Sequence, residues 1–182
     1  MLTGRHVTLR AWREDDVEFF HQLRNDVANQ LSLMGEPRPH TLVDTRRWLD
    51  ARTAGRDDVF LVIESLSAEK AVGFVELRTM RAVHGHASLG ICLIPSARGR
   101  GWAAESLGLV ERYGSDVVAL RKIVLEVLNG HERAIRMYER AGYERVGVHR
   151  SHFYFAGKYH DVLLMEKMLS AASQDATVPW TQ

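Results

Sequence analysis

One cysteine, Cys92, is the whole thiol content of this 182-residue sequence. A lone thiol excludes an intramolecular disulfide and fits a reducing compartment, so a cytoplasmic protein is expected. No stretch approaches the ~18 consecutive apolar residues of a membrane span. The opening MLTGRHVTLR also lacks the apolar core of a secretion signal. Charge of one sign is missing too: 24 Lys and Arg face 23 Asp and Glu, for a net charge of +1. That balance removes the global electrostatic case for a nucleic-acid or membrane-surface partner. Internal repeats and low-complexity linkers are absent from residues 1–168. A single domain over 1–169 is therefore expected, followed by a small, polar stretch (170–182, SAASQDATVPWTQ) that reads as a loose tail. With 46% hydrophobic residues the chain has the means to build a core without staples.

What is present reads as mixed α/β. Residues 5–12 alternate as a strand, and Glu14, Asp15 and Asp16 suit the first turn of a helix carrying Val17, Phe20 and Leu23 inward. Residues 31–40, with Gly35, Pro37 and Pro39, exclude regular structure. Thr41, three residues before Asp44, is an N-cap signal for a helix carrying Leu42, Trp48 and Leu49. VFLVIES, AVGFVELRTM and HASLGICLIP then read as a three-strand meander. A helix follows over 102–118, a buried strand over KIVLEVL (122–128), and an amphipathic helix over 131–141 with Ala134, Ile135, Tyr138 and Ala141 on one side. YERVGVHRSHFYF and HDVLLMEKM close the chain as strands joined through Ala156-Gly157-Lys158. The predicted order is β-α-α-β-β-β-α-β-α-β-β, with a mixed, mostly antiparallel central sheet flanked by helices.

The most informative segment joins a strand to a helix: Leu93-Ile94-Pro95-Ser96-Ala97-Arg98-Gly99-Arg100-Gly101-Trp102-Ala103-Ala104. Two glycines let backbone approach a ligand, and a helix start leaves free N–H groups. With Arg98 and Arg100 nearby, the segment reads as a pyrophosphate cradle. Gly99-x-Gly101-x-x-Ala104 formally fits the dinucleotide fingerprint, but there the glycines follow the strand directly within a βαβ unit. Here Pro95 to Arg98 intervene after an antiparallel meander, so that reading fails. The P-loop fails as well, since no Gly-Lys-Ser/Thr follows.

Arg98-Gly99-Arg100-Gly101-Trp102-Ala103 does match the Arg/Gln-x-x-Gly-x-Gly/Ala signature. Together with HERAIRMYERAGYERVG, it makes the chain resemble the GNAT acyl-CoA-dependent N-acetyltransferases over about residues 3–168. The closing HFYFAGKYHDVLLM is similar to the branch of ribosomal-protein N-terminal acetyltransferases and bacterial spermidine acetyltransferases. The resemblance implies a GNAT fold and acetyl-CoA as acyl-donor substrate, without a metal. It places Ile91, Cys92 and Leu93 beside the pantetheine arm and gives the pyrophosphate the N–H groups of Arg98 through Ala104. A backbone N–H near Leu93 would polarise the thioester carbonyl. Tyr138 matches the tyrosine that donates a proton to the leaving thiolate; on residue pattern alone it would be a core aromatic.

Two departures from the family pattern stand out. His131 occupies the position of an asparagine that contacts the pantetheine, with Asn129 two residues earlier. His131 either takes over that contact or is an exposed helix-start residue. Ser88 stands where several relatives carry a carboxylate, which counts against a polyamine substrate. An alkylammonium of pKa ~10.4 must still lose a proton before it attacks. Glu76 is the candidate base, acting through water; the competing reading is a strand glutamate paired with Arg78. Glu126 is a weaker candidate.

Other features read as structural. Cys92 is a small core residue. His84-x-His86 and His149-x-x-His152 lack zinc spacing. Arg46, Arg47, Arg52 and Arg56, balanced by Asp44, Asp50, Asp57 and Asp58, read as a solvated helix face. The expected activity is direct acetyl transfer to a primary amine, on a small molecule or a protein N-terminus, with a polyamine as the alternative acceptor. A nucleotide-linked amino sugar is neither supported nor excluded. A non-catalytic acyl-CoA-binding module is the alternative of another class. Pairing into a homodimer through an exposed strand edge is a further implication of the resemblance.

Overall fold

The computed structural model describes residues 1–55, 58–81 and 83–169. The expected tail, 170–182, and the helix-face residues Arg56 and Asp57 lie outside the described residues. Eight strands form one sheet: β1 (Leu2–Thr3), β2 (Val7–Arg10), β3 (Val59–Ser65), β4 (Lys70–Arg81), β5 (His86–Leu93), β6 (Lys122–Leu128), β7 (Glu144–Phe155) and β8 (Lys158–Met168). Their order across the sheet is β1-β2-β3-β4-β5-β6-β8-β7, and β5–β6 is the single parallel neighbour pair. The helices are α1 (Val17–Asn25), α2 (Val27–Ser32), α3 (Leu42–Thr53), α4 (Trp102–Asp116) and α5 (Glu132–Arg140). None of the helices described is long and apolar enough to cross a membrane.

The expected architecture is present, with three local differences. Residues 5–12 shorten to β2 (7–10), and Leu2–Thr3 ahead of them form an unexpected strand, β1, joined to β2 by a tight turn in which Gly4 donates its N–H to Val7 C=O at 2.9 Å. Residues 31–40 begin inside an unexpected helix, α2. Asp26 starts it by accepting the N–H groups of Ala28 and Asn29 at 2.9 and 3.2 Å. Six residues are too few for a helical period to show. Leu42, at the first position of α3, is 46% exposed rather than packed inward. The capping box that starts α3 is in place, Asp44 N–H donating to Thr41 Oγ1 at 3.1 Å. Ala156 and Gly157 both take positive φ (51° and 80°), the geometry of a two-residue hairpin turn between β7 and β8.

The sheet is buried on both faces by unlike cores. One face packs Val7, Leu9, Val75, Leu77 and Leu89 against Leu107 and Val110 of α4 and Ile135 of α5. The other packs Phe60, Val62, Phe74 and Cys92 against Phe20 and Leu23 of α1 and Leu49 of α3. Alternation along β4 and β5 makes the division: Phe74, Glu76 and Arg78 pair across to Cys92, Gly90 and Ser88. Those six residues therefore lie on the α1–α3 side.

Candidate active site

β5 and β6 pair over only three positions, His86–Lys122, Ala87–Ile123 and Ser88–Val124. Both strands continue, to Leu93 and Leu128, so they part beyond Ser88 and leave a gap in the sheet. Ile94 donates its N–H to Val72 C=O at 2.9 Å. Counting back along the antiparallel ladder turns the N–H groups of Leu93 and Ile91 away from β4 and into the gap. An extended ligand arm can pair there as an added strand. The gap opens onto a cleft of about 1260 Å³ that reaches both faces of the sheet.

Past the gap lies the glycine loop. Gly99 and Gly101 adopt φ of +85° and +81°, where a side chain is strained. Glu105 is the first residue of α4 whose N–H is bonded within the helix, to Gly101 C=O at 3.0 Å. The N–H groups of residues 99–104 have no partner among the described residues. Six free donors at a helix N-terminus suit a pyrophosphate.

Arg98 departs from expectation. Its N–H closes a turn onto Pro95 C=O at 3.2 Å and is not free for a phosphate. Its side chain folds back: Nε donates to Leu93 C=O at 2.9 Å, and a terminal nitrogen donates to Asn29 Oδ1 at 2.6 Å. Asn29, almost fully buried, in turn donates to Asp26 Oδ2 at 2.9 Å. Arg98 thus braces the end of β5 against α2. Arg100 is exposed, stacks on Trp102 at 5.2 Å and stands off the cleft wall.

Of the other expected donor-side residues, Ile91, Cys92, Leu93, Gly99, Gly101, Trp102, Ala103, Ala104 and His131 all line the cleft. Asn129 does not; it is exposed, and its N–H donates to Asp161 C=O at 2.9 Å. His131 is both things weighed for it, the N-cap of α5 and a residue of the cleft wall. Burial, then Arg98 and Arg133, lower its pKa, so the ring is neutral at pH 7. Arg133, Arg136 and Arg140 of α5 also line the cleft, opposite Ala104 and Gly108 of α4. The residue pattern treated them as the polar face of an amphipathic helix. Their spacing, three and then four residues apart beside a phosphate loop, was the available signal.

Tyr138 is buried, with its ring edge-on to Tyr143 at 5.7 Å, and it lines the cleft. Burial, with a smaller contribution from the Cys92 thiol, pushes its pKa up to about 12, and no hydrogen bond contributes. The Cys92 thiol is itself pushed up to about 11 by burial, which makes it a poor nucleophile at neutral pH.

Glu76 is 5% exposed at the acceptor side of the gap. Gly90, opposite it on β5, leaves the space its carboxylate needs: a Cβ there would meet Oε1 at 2.7 Å. Both oxygens are engaged, Oε2 by Arg52 at 2.6 Å and Oε1 by Arg78 at 3.2 Å. Burial raises the Glu76 pKa, with Arg52 and Arg78 opposing. Arg52 is therefore not part of a solvated face. It sits one turn beyond Trp48 on α3, its guanidinium 5.1 Å from the indole, and the inward reading of Trp48 already implied that position.

Arg24, from α1, lies 4.8 Å over the same indole. Its hydrogen-bond partners are neutral: Asp44 C=O at 3.2 Å, Thr45 Oγ1 at 3.5 Å and the His40 ring at 3.2 Å. Arg24, His40, Trp48, Arg52 and Arg78 all line the cleft around Glu76.

The Acetyltransferase (GNAT) domain matches residues 6–144. The chain belongs to the GNAT acetyltransferase family. It is 29% identical over 165 residues to the spermidine N(1)-acetyltransferase of Escherichia coli (strain K12), covering 91% of this chain and 87% of that one. The Vibrio cholerae spermidine N(1)-acetyltransferase is 26% identical over 159 residues, 87% of this chain and 91% of that one. A crystal structure of the Vibrio cholerae enzyme with CoA and spermine superposes with a TM-score of 0.85 at 25% identity, over 91% of this chain and 97% of that one. This GNAT chain is an acetyl-CoA-dependent N-acetyltransferase. The gap, the free N–H groups of the glycine loop and the arginines of α5 are the features of this chain that fit that donor.

Proposed function

We propose that the chain moves an acetyl group directly to a primary amine bound beside Glu76, with Tyr138 as general acid. The observation that carries the reading is the meeting of three things at one gap: the free N–H of Leu93, the unbonded hydroxyl of Tyr138 and the buried carboxylate of Glu76. Bound acetyl-CoA supplies the acetyl group. Backbone of residues 91–93 holds the arm, and the N–H groups of 99–104 hold the phosphates, with His131 on the wall between. Leu93 offers its N–H to the oxygen on which charge develops. Tyr138, protonated at neutral pH, gives its proton to the departing thiolate.

Glu76 accepts the amine's proton through water. Its raised pKa makes it the stronger base, while Arg52 and Arg78 hold the carboxylate in place. The same arginines help in a second way, because a positive surrounding lowers the pKa of a bound ammonium and favours the neutral amine that attacks. Small-molecule amines and protein N-termini both fall within this reading. A polyamine acceptor is the second reading, favoured by the spermidine acetyltransferases to which the chain is similar along most of its length. A cytoplasmic site of action accords with the lone, buried cysteine. Self-association through β7 is a further part of the proposal: β7 is an edge strand whose Val146, Val148 and Tyr154 are exposed, and one Vibrio cholerae structure is dodecameric.

Tyr138→Phe tests the chemistry. Turnover should fall ~100-fold or more while acetyl-CoA affinity stays the same. Undiminished turnover would remove Tyr138 from the acid role. Acetyl-CoA binding by the unaltered chain with no thiol release from any amine would mark a binding module instead.

A further inference from the structure

Of the charged groups lining the acceptor end, Arg52 and Arg78 are spent on Glu76. Glu126 looks in from β6, across the gap. Arg24 is left with a half-buried positive charge and no carboxylate within ion-pair distance among the described residues. The groups that touch it are neutral, and the nearest favourable carboxylate, Asp44, acts only at longer range while its own oxygen is taken by Thr41. The His40 ring faces the Arg24 guanidinium at 3.2 Å, and burial together with Arg24 lowers the pKa of that ring, so it stays neutral at pH 7. Arg24 and Arg52 both lie within stacking distance of the Trp48 ring, at 4.8 and 5.1 Å, so both guanidinium groups are braced on one indole. A half-buried cation whose burial is offset only in part by a carboxylate out of contact is unfavourable in the empty protein and favourable once an anion reaches it.

From this geometry we infer that the acceptor is a small primary amine that also carries an acidic group, a carboxylate or a phosphate, which Arg24 receives while the amine faces Glu76. The inference rests on the transferase reading above and narrows its acceptor. A guanidinium fork matches either acid in a two-point contact. A polycation would instead meet three arginines at the entrance to a carboxylate that is already paired. Glu126 is the one lining carboxylate of the acceptor side that forms no ion pair among the described residues. It faces the cleft from the opposite strand and does not neutralise Arg24.

The test uses the full chain, with acids set beside their decarboxylated or uncharged counterparts. Thiol release is measured for phenylalanine against phenethylamine, and for γ-aminobutyrate and aminopropylphosphonate against propylamine, with putrescine and spermidine alongside. Calorimetric titration of the same acids into CoA-saturated protein gives a readout independent of turnover. At least one acid should exceed its counterpart by ~10-fold or more in kcat/KM. Arg24→Gln should remove that advantage and the acid's binding heat, with acetyl-CoA affinity unchanged. Arg24→Lys, which keeps the charge but loses the fork, should retain part of both and guards against a mere packing effect. The carboxylate and phosphonate arms separate the two kinds of acid.

Preference for putrescine or spermidine over every acid would overturn the inference and leave the transferase standing. So would an acid advantage that survives Arg24→Gln, or acids that neither react nor bind in a chain that binds acetyl-CoA. Failure of acetyl-CoA itself to bind would overturn the underlying reading instead.

Discussion

The two sides of the sheet make their sites from different materials. On the donor side, backbone is what faces the cleft: N–H groups turned into the gap, six more at the start of α4, and two glycines in left-handed conformations. Its supporting core is largely aliphatic. On the acceptor side, side chains line the cleft, and they come from α1, α3 and β4, held over a cluster of Phe20, Trp48, Phe60 and Phe74. A site made of backbone tolerates changes of side chain but not of conformation. A site made of side chains responds the other way, and the contrast can be broken from either direction.

The largest expected effect is on the acceptor side. Phe20 is fully buried and meets Phe19, Trp48, Phe60 and Phe74 at centroid distances of 5.1 to 6.2 Å. Phe20→Ala should lower unfolding stability by about 3–5 kcal/mol, read from a denaturant midpoint. Amine KM should rise in the variant that remains folded, while acetyl-CoA affinity is kept.

Next comes alkaline stability, through Tyr138. Its folded pKa, about 12, lies above the unfolded value near 10. Between those values the folded chain holds more protons than the unfolded chain, so stability falls as pH rises through the window. Tyr138→Phe should flatten that loss by ~2–3 kcal/mol at its upper end, measured by denaturant titration at several pH values. The same high pKa keeps the acid protonated, so kcat of the unaltered chain should show no alkaline fall up to about pH 10.

Gly101→Val forces a branched side chain into φ of +81°. Strain of about 1–2 kcal/mol should follow, together with acetyl-CoA binding weakened ~10-fold as the loop shifts. Amine discrimination should survive that change. At the small end, Arg100→Ala should move acetyl-CoA KM by no more than about twofold, since an exposed charge is largely screened. A larger effect there would mean that side chains matter on the donor side as well.

The same contrast governs what could be read in the sequence. The glycine loop is contiguous, a strand, a turn and a helix start in a row, so the local geometry of residues 91–104 and its free N–H groups were legible. The exceptions are instructive. Arg98 was read by its charge, but its N–H and side chain are consumed by Pro95, Leu93 and Asn29, partners that no local pattern supplies. The acceptor wall was largely illegible, because Arg24, Trp48 with Arg52, and Glu76 are drawn together from three separate elements of the chain. Of the readings weighed for Glu76, pairing with Arg78 was foreseen and pairing with Arg52 was not. Near-equal numbers of arginine and aspartate along α3 hid the fact that one arginine shares the inward face with Trp48. The fold order came through because long strands and periodic helices dominate it; α2 and the β1–β2 turn escaped because six residues and two residues are too short to show a period.

Cys92 has a consequence at the bench. With a pKa of about 11 and 5% exposure, about one thiol in ten thousand is ionised at pH 7, and that fraction is shielded from reagents. A colorimetric thiol reagent added to the folded enzyme will therefore respond to the liberated coenzyme and stay silent toward the protein. When the fold opens, the one sulfur of this kind in the sequence becomes available. The same reagent then counts unfolded molecules one for one.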